Sequence, residues 1–173
     1  GLITDYQYGP LQQDEALQRI THRVGPIPVS EFLYTRNVPA QKIVTCSQQA
    51  GTQRPVMHSF IHDDADQLIA DAMTSGEDSV GHLLYSYDPD GNRLKEVVNG
   101  TTTTFSYNAL NQLVAQEPEN RPGSTYGWDG ANRLVEVVNG NTSTQFTYDG
   151  LGRRVTIRQV VKGVETSLRR FVW

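Results

Sequence analysis

The chain has 173 residues, of which 37% are apolar, with a mean hydropathy of -0.48. That is enough length for a core, drier than a disordered tail and wetter than a buried α/β enzyme. The net charge of -4 excludes a generally basic nucleic-acid binder, the lone Cys46 excludes an intrachain disulfide and a cysteine-based metal site, and no apolar run has the length of a membrane span.

Fifteen Gly, eight Pro and eight Tyr among many Thr and Val favour strands and turns. Tyr6-Gln7-Tyr8 opens a candidate first unit. Residues 11–23 read as strand or helix through Leu17 and Ile20. The strand reading runs from Leu17 to Val24, turns at Gly25-Pro26-Ile27-Pro28 and returns from Val29 to Tyr34. Tyr34-Thr35-Arg36-Asn37 then runs on to Ile43. Phe60-Ile61-His62-Asp63 leads into residues 61–74, where Ala65, Leu68, Ile69, Ala72 and Met73 also fit helical spacing with Asp63 as cap. The repeat described next favours turn and strand there. Ser75-Gly76-Glu77-Asp78 and residues 117–123 read as longer hairpin loops on one rim.

From Tyr85 onward one pattern returns. Asn92-Arg93-Leu94-Lys95-Glu96-Val97-Val98-Asn99-Gly100 is repeated as Asn132-Arg133-Leu134-Val135-Glu136-Val137-Val138-Asn139-Gly140. Aromatic pairs precede each turn: Tyr85/Tyr87, Phe105/Tyr107, Tyr126/Trp128 and Phe146/Tyr148. First aromatics stand at 34, 60, 85, 105, 126 and 146, at intervals of 26, 25, 20, 21 and 20. Constant spacing over that many copies marks a repeat architecture.

Residues two apart share one face of a strand, so each ring pair points the same way and adjacent strands should line the rings into a ladder. Asp88, Asp129 and Asp149 follow the second ring, where a short carboxylate accepts backbone N–H bonds, and Gly91 and Gly152 accept positive φ. Asn99-Gly100 and Asn139-Gly140, between β-formers, predict type I′ hairpin turns at the other end. The expected fold is all-β: an antiparallel meander of stacked hairpins. We read residues 1–173 as a single repeat domain, degenerate over 1–80 and well formed over 81–173.

Tyr87-Asp88-Pro89-Asp90-Gly91-Asn92-Arg93-Leu94 and Tyr148-Asp149-Gly150-Leu151-Gly152-Arg153-Arg154-Val155 resemble the unit of the YD-repeat, or RHS-repeat, family. The closing Leu168-Arg169-Arg170-Phe171-Val172-Trp173 resembles sequence found deep inside such proteins, and the abrupt ends suggest an excised portion of something longer. The resemblance implies a curved sheet winding into a spiral shell, of which this chain would form an open strip or arc. It implies a secreted or cell-envelope bacterial protein that encloses a cargo, often a toxin domain. Partners would be flanking repeats of the same parent chain, copies paired through sheet edges, the cargo, or a glycan stacked on the rings.

The ring ladder comprises Tyr34, Phe60, Tyr85, Tyr87, Phe105, Tyr107, Tyr126, Trp128, Phe146 and Tyr148. The turn residues are Asp88, Gly91, Asn99, Gly100, Asp129, Asn139, Gly140, Asp149 and Gly152. Asp88-Pro89-Asp90-Gly91-Asn92 has the oxygen spacing of a calcium loop but places Asn99 where that loop needs Glu. His58, His62, Asp63 and Asp64 lack an obvious third metal ligand. No nucleophile elbow, Walker loop or zinc-protease motif occurs. Acidic residues crowd Asp63 to Asp78 and basic ones Arg153 to Arg170, read as solvated hairpin faces before an anion-binding end. We expect no enzyme activity, cofactor, metal or nucleic-acid partner.

Overall fold

The computed structural model describes residues 1–10, 15–37 and 42–173. The fold is all-β, and the described residues form fifteen antiparallel strands ordered in the sheet as in the chain. They are β1 (Leu2–Tyr8), β2 (Leu17–Val24), β3 (Ile27–Arg36), β4 (Ile43–Ala50), β5 (Val56–His62), β6 (Leu68–Ser75), β7 (Asp78–Tyr87), β8 (Arg93–Val98), β9 (Thr101–Tyr107), β10 (Leu113–Pro118), β11 (Ser124–Trp128), β12 (Leu134–Asn139), β13 (Thr142–Tyr148), β14 (Arg154–Val161) and β15 (Val164–Arg170). Two compact units divide the chain, Gly1–Tyr85 with Val97–Asn99, and Ser86–Glu96 with Gly100–Trp173.

In the first unit both ambiguous segments are strand and turn where described. β2 occupies the second half of residues 11–23, while residues 11–14 lie outside the described residues. Residues 61–74 form the end of β5, a turn at Asp63 and most of β6. Local helical spacing loses because cross-strand pairing satisfies each backbone group, as in Phe60↔Asp71 and Ile61↔Ala70.

Three turns are tighter than expected or displaced. Val24 pairs with Ile27, so Gly25 and Pro26 alone make that turn and β3 starts two residues earlier than expected. Ser75 pairs with Asp78, so the expected longer loop is a two-residue turn with Gly76 at φ 66. Asn139 pairs with Thr142 and its side chain bonds Ser124 Oγ at 2.8 Å, which keeps it in the ladder. The second unit therefore turns at Gly140-Asn141, and Gly140 alone takes positive φ, at 53°. That is the type II′ solution, in place of the type I′ turn expected at Asn139-Gly140. Asn99 and Gly100, at φ 49 and 86, adopt the type I′ pattern. The expected loop over residues 117–123 shortens by two, because β10 runs to Pro118.

A register shift recurs beside the second-aromatic position. It falls at Gln7/Tyr8, Thr35/Arg36 and Ile61/His62 in the first unit, and at Gly127/Trp128 and Thr147/Tyr148 in the second. Such bulges increase local twist and re-aim the side chain beside them. Burial is shallow: Phe105, 8% exposed, is the buried large hydrophobic among the described residues.

Candidate functional site

The turn after each aromatic pair is one local structure repeated. The backbone N–H of Asp88 donates to the carbonyl of Asn92, and that of Gly91 to the carbonyl of Asp88. Asp88 Oδ1 accepts from the backbone of Asp90 and Asn92 at 3.0 and 2.8 Å. The same bonds recur at Asp63, Asn108, Asp129 and Asp149. In all five the third residue after the Asx takes positive φ: Asp66, Gly91, Asn111, Asn132 and Gly152. Only Gly, Asn and Asp enter that region readily, which accounts for the residue types found there.

The second carboxylate oxygens of Asp88, Asp129 and Asp149 take the side chain four residues on. Asp129 Oδ2 accepts Arg133 Nε at 2.8 Å, Asp149 Oδ2 accepts Arg153 Nε at 2.7 Å, and Asp88 Oδ2 accepts Asn92 Nδ2 at 2.9 Å. These bonds hold all three carboxyls below the usual range. The leading causes are the Asn92 side chain for Asp88, the Arg133 side chain for Asp129 and the Arg153 backbone N–H for Asp149. The turn thus uses the oxygens that a calcium loop would present. Among the described residues no group of three or more His, Cys, Asp or Glu could hold a metal. His58 Nδ1 instead meets the buried Asp71 at 2.9 Å, and its ring stacks on Phe60 at 5.9 Å.

Above the turns at Asp88, Asn108, Asp129 and Asp149, the second aromatic of the following unit makes a second recurring bond. Tyr107 Oη donates to the carbonyl of Arg93 at 3.2 Å, Trp128 Nε1 to that of Leu113 at 2.8 Å, and Tyr148 Oη to that of Leu134 at 2.7 Å. Trp173 Nε1 does the same to Arg154 at 3.1 Å. Each acceptor is the fifth residue after the turn's Asx. The ladder between β12 and β13 ends at Glu136↔Gln145, and that between β10 and β11 at Ala115↔Thr125. Beyond those pairs the carbonyls of Leu134 and Leu113 face no ladder N–H, and the ring's polar hydrogen fills the gap.

From Phe105 onward the rings do not stack on one another across the sheet. They sit on β9, β11 and β13, opposite aliphatic or polar residues: Phe105↔Gln116, Tyr107↔Leu113, Tyr126↔Val137 and Phe146↔Ile157. Guanidinium groups cover their faces. Arg93 lies 4.7 Å from the Phe105 centroid, Arg133 4.8 Å from Tyr148 and Arg154 5.6 Å from Phe146. Tyr126 Oη donates to Gln116 Oε1 at 3.0 Å. Tyr34, Phe60, Tyr85 and Tyr87 are half-buried. Burial raises the Tyr34 phenol above its ordinary value, and Cys46 opposite adds to it.

Side chains also link one turn to the next. Asn92 Nδ2 donates to Asn111 Oδ1 at 2.9 Å, and Gln112 Nε2 to Asn132 Oδ1 at 2.6 Å. Sequence reasoning did not single out Asn111, Gln112 and Asn132. The signal was available, because each stands at the same offset from its Asx as Gly91, Asn92 or Gly152.

Residues 128–161 match the family model of the RHS repeat, and the chain carries that repeat. No curated protein sequence matches it. Among solved structures, it is similar to the crystal structures of TcdB2-TccC3-Cdc42, of TcdB2-TccC3, and of TcdB2-TccC3 without the hypervariable C-terminal region. Each has a TM-score of 0.61 at 12% identity, covering 92% of this chain and 9% of the other. The likeness is one of fold, and the chain spans a small part of those proteins. No helix among the described residues is long and apolar enough to cross a membrane.

Proposed function

We propose that the chain is a length of wall in a secreted or cell-envelope bacterial shell that encloses or presents a cargo such as a toxin domain, without a catalytic role of its own. The carrying observation is the recurrent turn and aromatic bond. In these copies the Asx side chain is spent on N–H groups of its own turn and the ring hydrogen on the freed carbonyl, so the polar chemistry of the repeat is cohesive. The RHS match and the shared fold of the TcdB2-TccC3 structures support the same reading. On this reading residues 1–173 act as one stretch of repeats, the rings hold the wall together, and partners are neighbouring repeats and the cargo.

A wall protects what it encloses. The test is limited proteolysis of the polypeptide carrying this chain and its flanking sequence, with the liberated fragments identified by mass spectrometry. A segment outside the repeats that resists cleavage, and becomes sensitive when Tyr107 and Tyr148 are both changed to Ala, is the expected result. Equal sensitivity of every non-repeat segment before and after the change would remove the enclosure reading.

A further inference from the structure

In the first unit, one face of the sheet changes character on reaching β5. On β2 and β3 that face carries Arg19 and Glu31, ion-paired at 3.5 Å. Cross-strand partners share a face, so Arg19↔Leu33, Leu33↔Ser47, Ser47↔Met57 and Met57↔Thr74 carry it across the sheet to β6. Two further rows, Ile61↔Ala70↔Leu84 and Ser59↔Ala72↔His82, extend it to β7. The rows that cross β5, β6 and β7 hold no Asp, Glu, Lys or Arg.

The middle strand, β6, carries the small side chains of Ala70, Ala72 and Thr74. The strands on either side raise larger ones, Met57 and Ile61 on β5 and Leu84 on β7, which are 40%, 58% and 45% exposed. The result is a trough about 10 Å across, two strand spacings wide, with apolar walls and a low floor. Contiguous apolar exposure of this kind marks an interaction surface, whereas single exposed residues do not. Acidic turns close both ends of β6. Asp63, Asp64 and Asp66 stand at one end against Lys42, which pairs with Asp66. Glu77 and Asp78 stand at the other, where the Arg54 guanidinium lies beside Gly76. Among the described residues Asp64, Glu77 and Asp78 enter no ion pair.

We propose that this trough holds an extended polypeptide segment, apolar at alternate positions and carrying Lys or Arg at both ends. Alternate side chains of an extended chain point the same way, so the apolar ones rest on Ala70 and Ala72 between the walls. The segment's backbone then lies about 10 Å above the sheet, where it stays hydrated. The two acidic turns are separated by the eight residues of β6, which sets the spacing of the basic ends. The footprint is roughly 300 Å², well below the ~800 Å² per partner of a stable protein–protein interface. A second copy would also bring the same acidic turns against these. One basic-ended segment fits both the area and the charge, whether or not the sheet encloses a cargo.

The 173-residue chain is titrated at low salt with a fluorescein-labelled decapeptide of alternating valine and threonine with a lysine pair at each end, following anisotropy. This peptide should bind saturably, and its counterpart with glutamates in place of the lysines should not. Ala72→Gln fills the floor and should weaken binding about tenfold. Ile61→Ser combined with Leu84→Ser lowers both walls and should also cost about tenfold. Asp64→Asn combined with Glu77→Gln should cost about threefold and lessen the salt dependence. Leu151→Ser, at an exposed leucine of the second unit, should leave binding unchanged. Circular dichroism checks that the variants fold, and Ala72→Gln, at an exposed alanine, decides the matter if the wall variant does not. Undiminished binding by folded Ala72→Gln, equal loss in Leu151→Ser, equal binding of the glutamate peptide, or no binding at all would overturn the site. So would a concentration-dependent dimer, seen by sedimentation and dissociated by Ala72→Gln, which would give the face to a second copy.

Discussion

Tyr148 separates the hydrogen bond of the repeat from its ring. Tyr148→Phe removes only the 2.7 Å bond to the Leu134 carbonyl, which contributes about 1 kcal/mol net. Tyr148→Ala removes the ring as well. A fully buried Phe→Ala change costs roughly 3–5 kcal/mol. Tyr148 is half-buried, so about 2 kcal/mol is the appropriate share. The Arg133 guanidinium 4.8 Å from the ring adds about 0.5 kcal/mol. Together with the bond, the alanine change should cost roughly 3–4 kcal/mol. Urea unfolding followed by indole emission and by far-ultraviolet circular dichroism measures both variants. The reasoning fails if Tyr148→Phe costs less than about 0.3 kcal/mol, or as much as Tyr148→Ala.

Phe105→Ala should cost about 3–5 kcal/mol in the same assay, because Phe105 is the well-buried ring and carries Arg93; a loss under about 1 kcal/mol would deny it a core role. Gly100 sits at φ 86 with open space around it, so Gly100→Ala should cost about 1–2 kcal/mol through backbone strain alone. Gly130 also has open space but no positive φ, and Gly130→Ala should stay within about 0.5 kcal/mol; equal effects at the two sites would refute the conformational argument. The carboxyls of Asp88, Asp129, Asp149 and Glu136 are held below their ordinary values, Glu136 by the Ser143 hydroxyl and then the Gln145 amide. Lowered folded values mean stabilisation that is complete above the usual carboxylate range near pH 4 and lost as pH falls through the lowered values. Melting temperature followed from pH 7 downward should show that acid limb, and Glu136→Gln should flatten part of it; an unchanged limb would show that this carboxyl is not linked to folding.

The fold was legible because its period is short and its turns are chemical. Asp88 with Gly91 and Asp149 with Gly152 declare an Asx turn closed by a positive φ, and the spacing of the aromatics carries that assignment to residues 61–74 against local helical spacing. Asn139-Gly140 misled because Asn-Gly is a strong local signal, while the bond from Asn139 to Ser124 belongs to a different strand. The arrangement of the rings was less legible. Alternation along a strand assigns a face, but which strands carry rings and which carry Leu113, Val137 or Ile157 opposite them depends on register.

The two aromatic positions nevertheless differ in a way the sequence records. The first is Phe105, Tyr126, Phe146 and Phe171, where a ring without a donor suffices. The second is Tyr107, Trp128, Tyr148 and Trp173, where every ring carries a polar hydrogen, and every one of those hydrogens meets the carbonyl five residues after the preceding Asx. That distribution follows from the bond itself. Where the ladder between neighbouring hairpins stops, a carbonyl is left over, and only an O–H or N–H at the end of a long flat side chain spans the remaining gap. Phenylalanine at the second position would keep the apolar contact and leave the carbonyl to water. The spacing of the repeat is therefore set by the distance from a turn to the ring that closes the gap above it, as well as by the length of its strands.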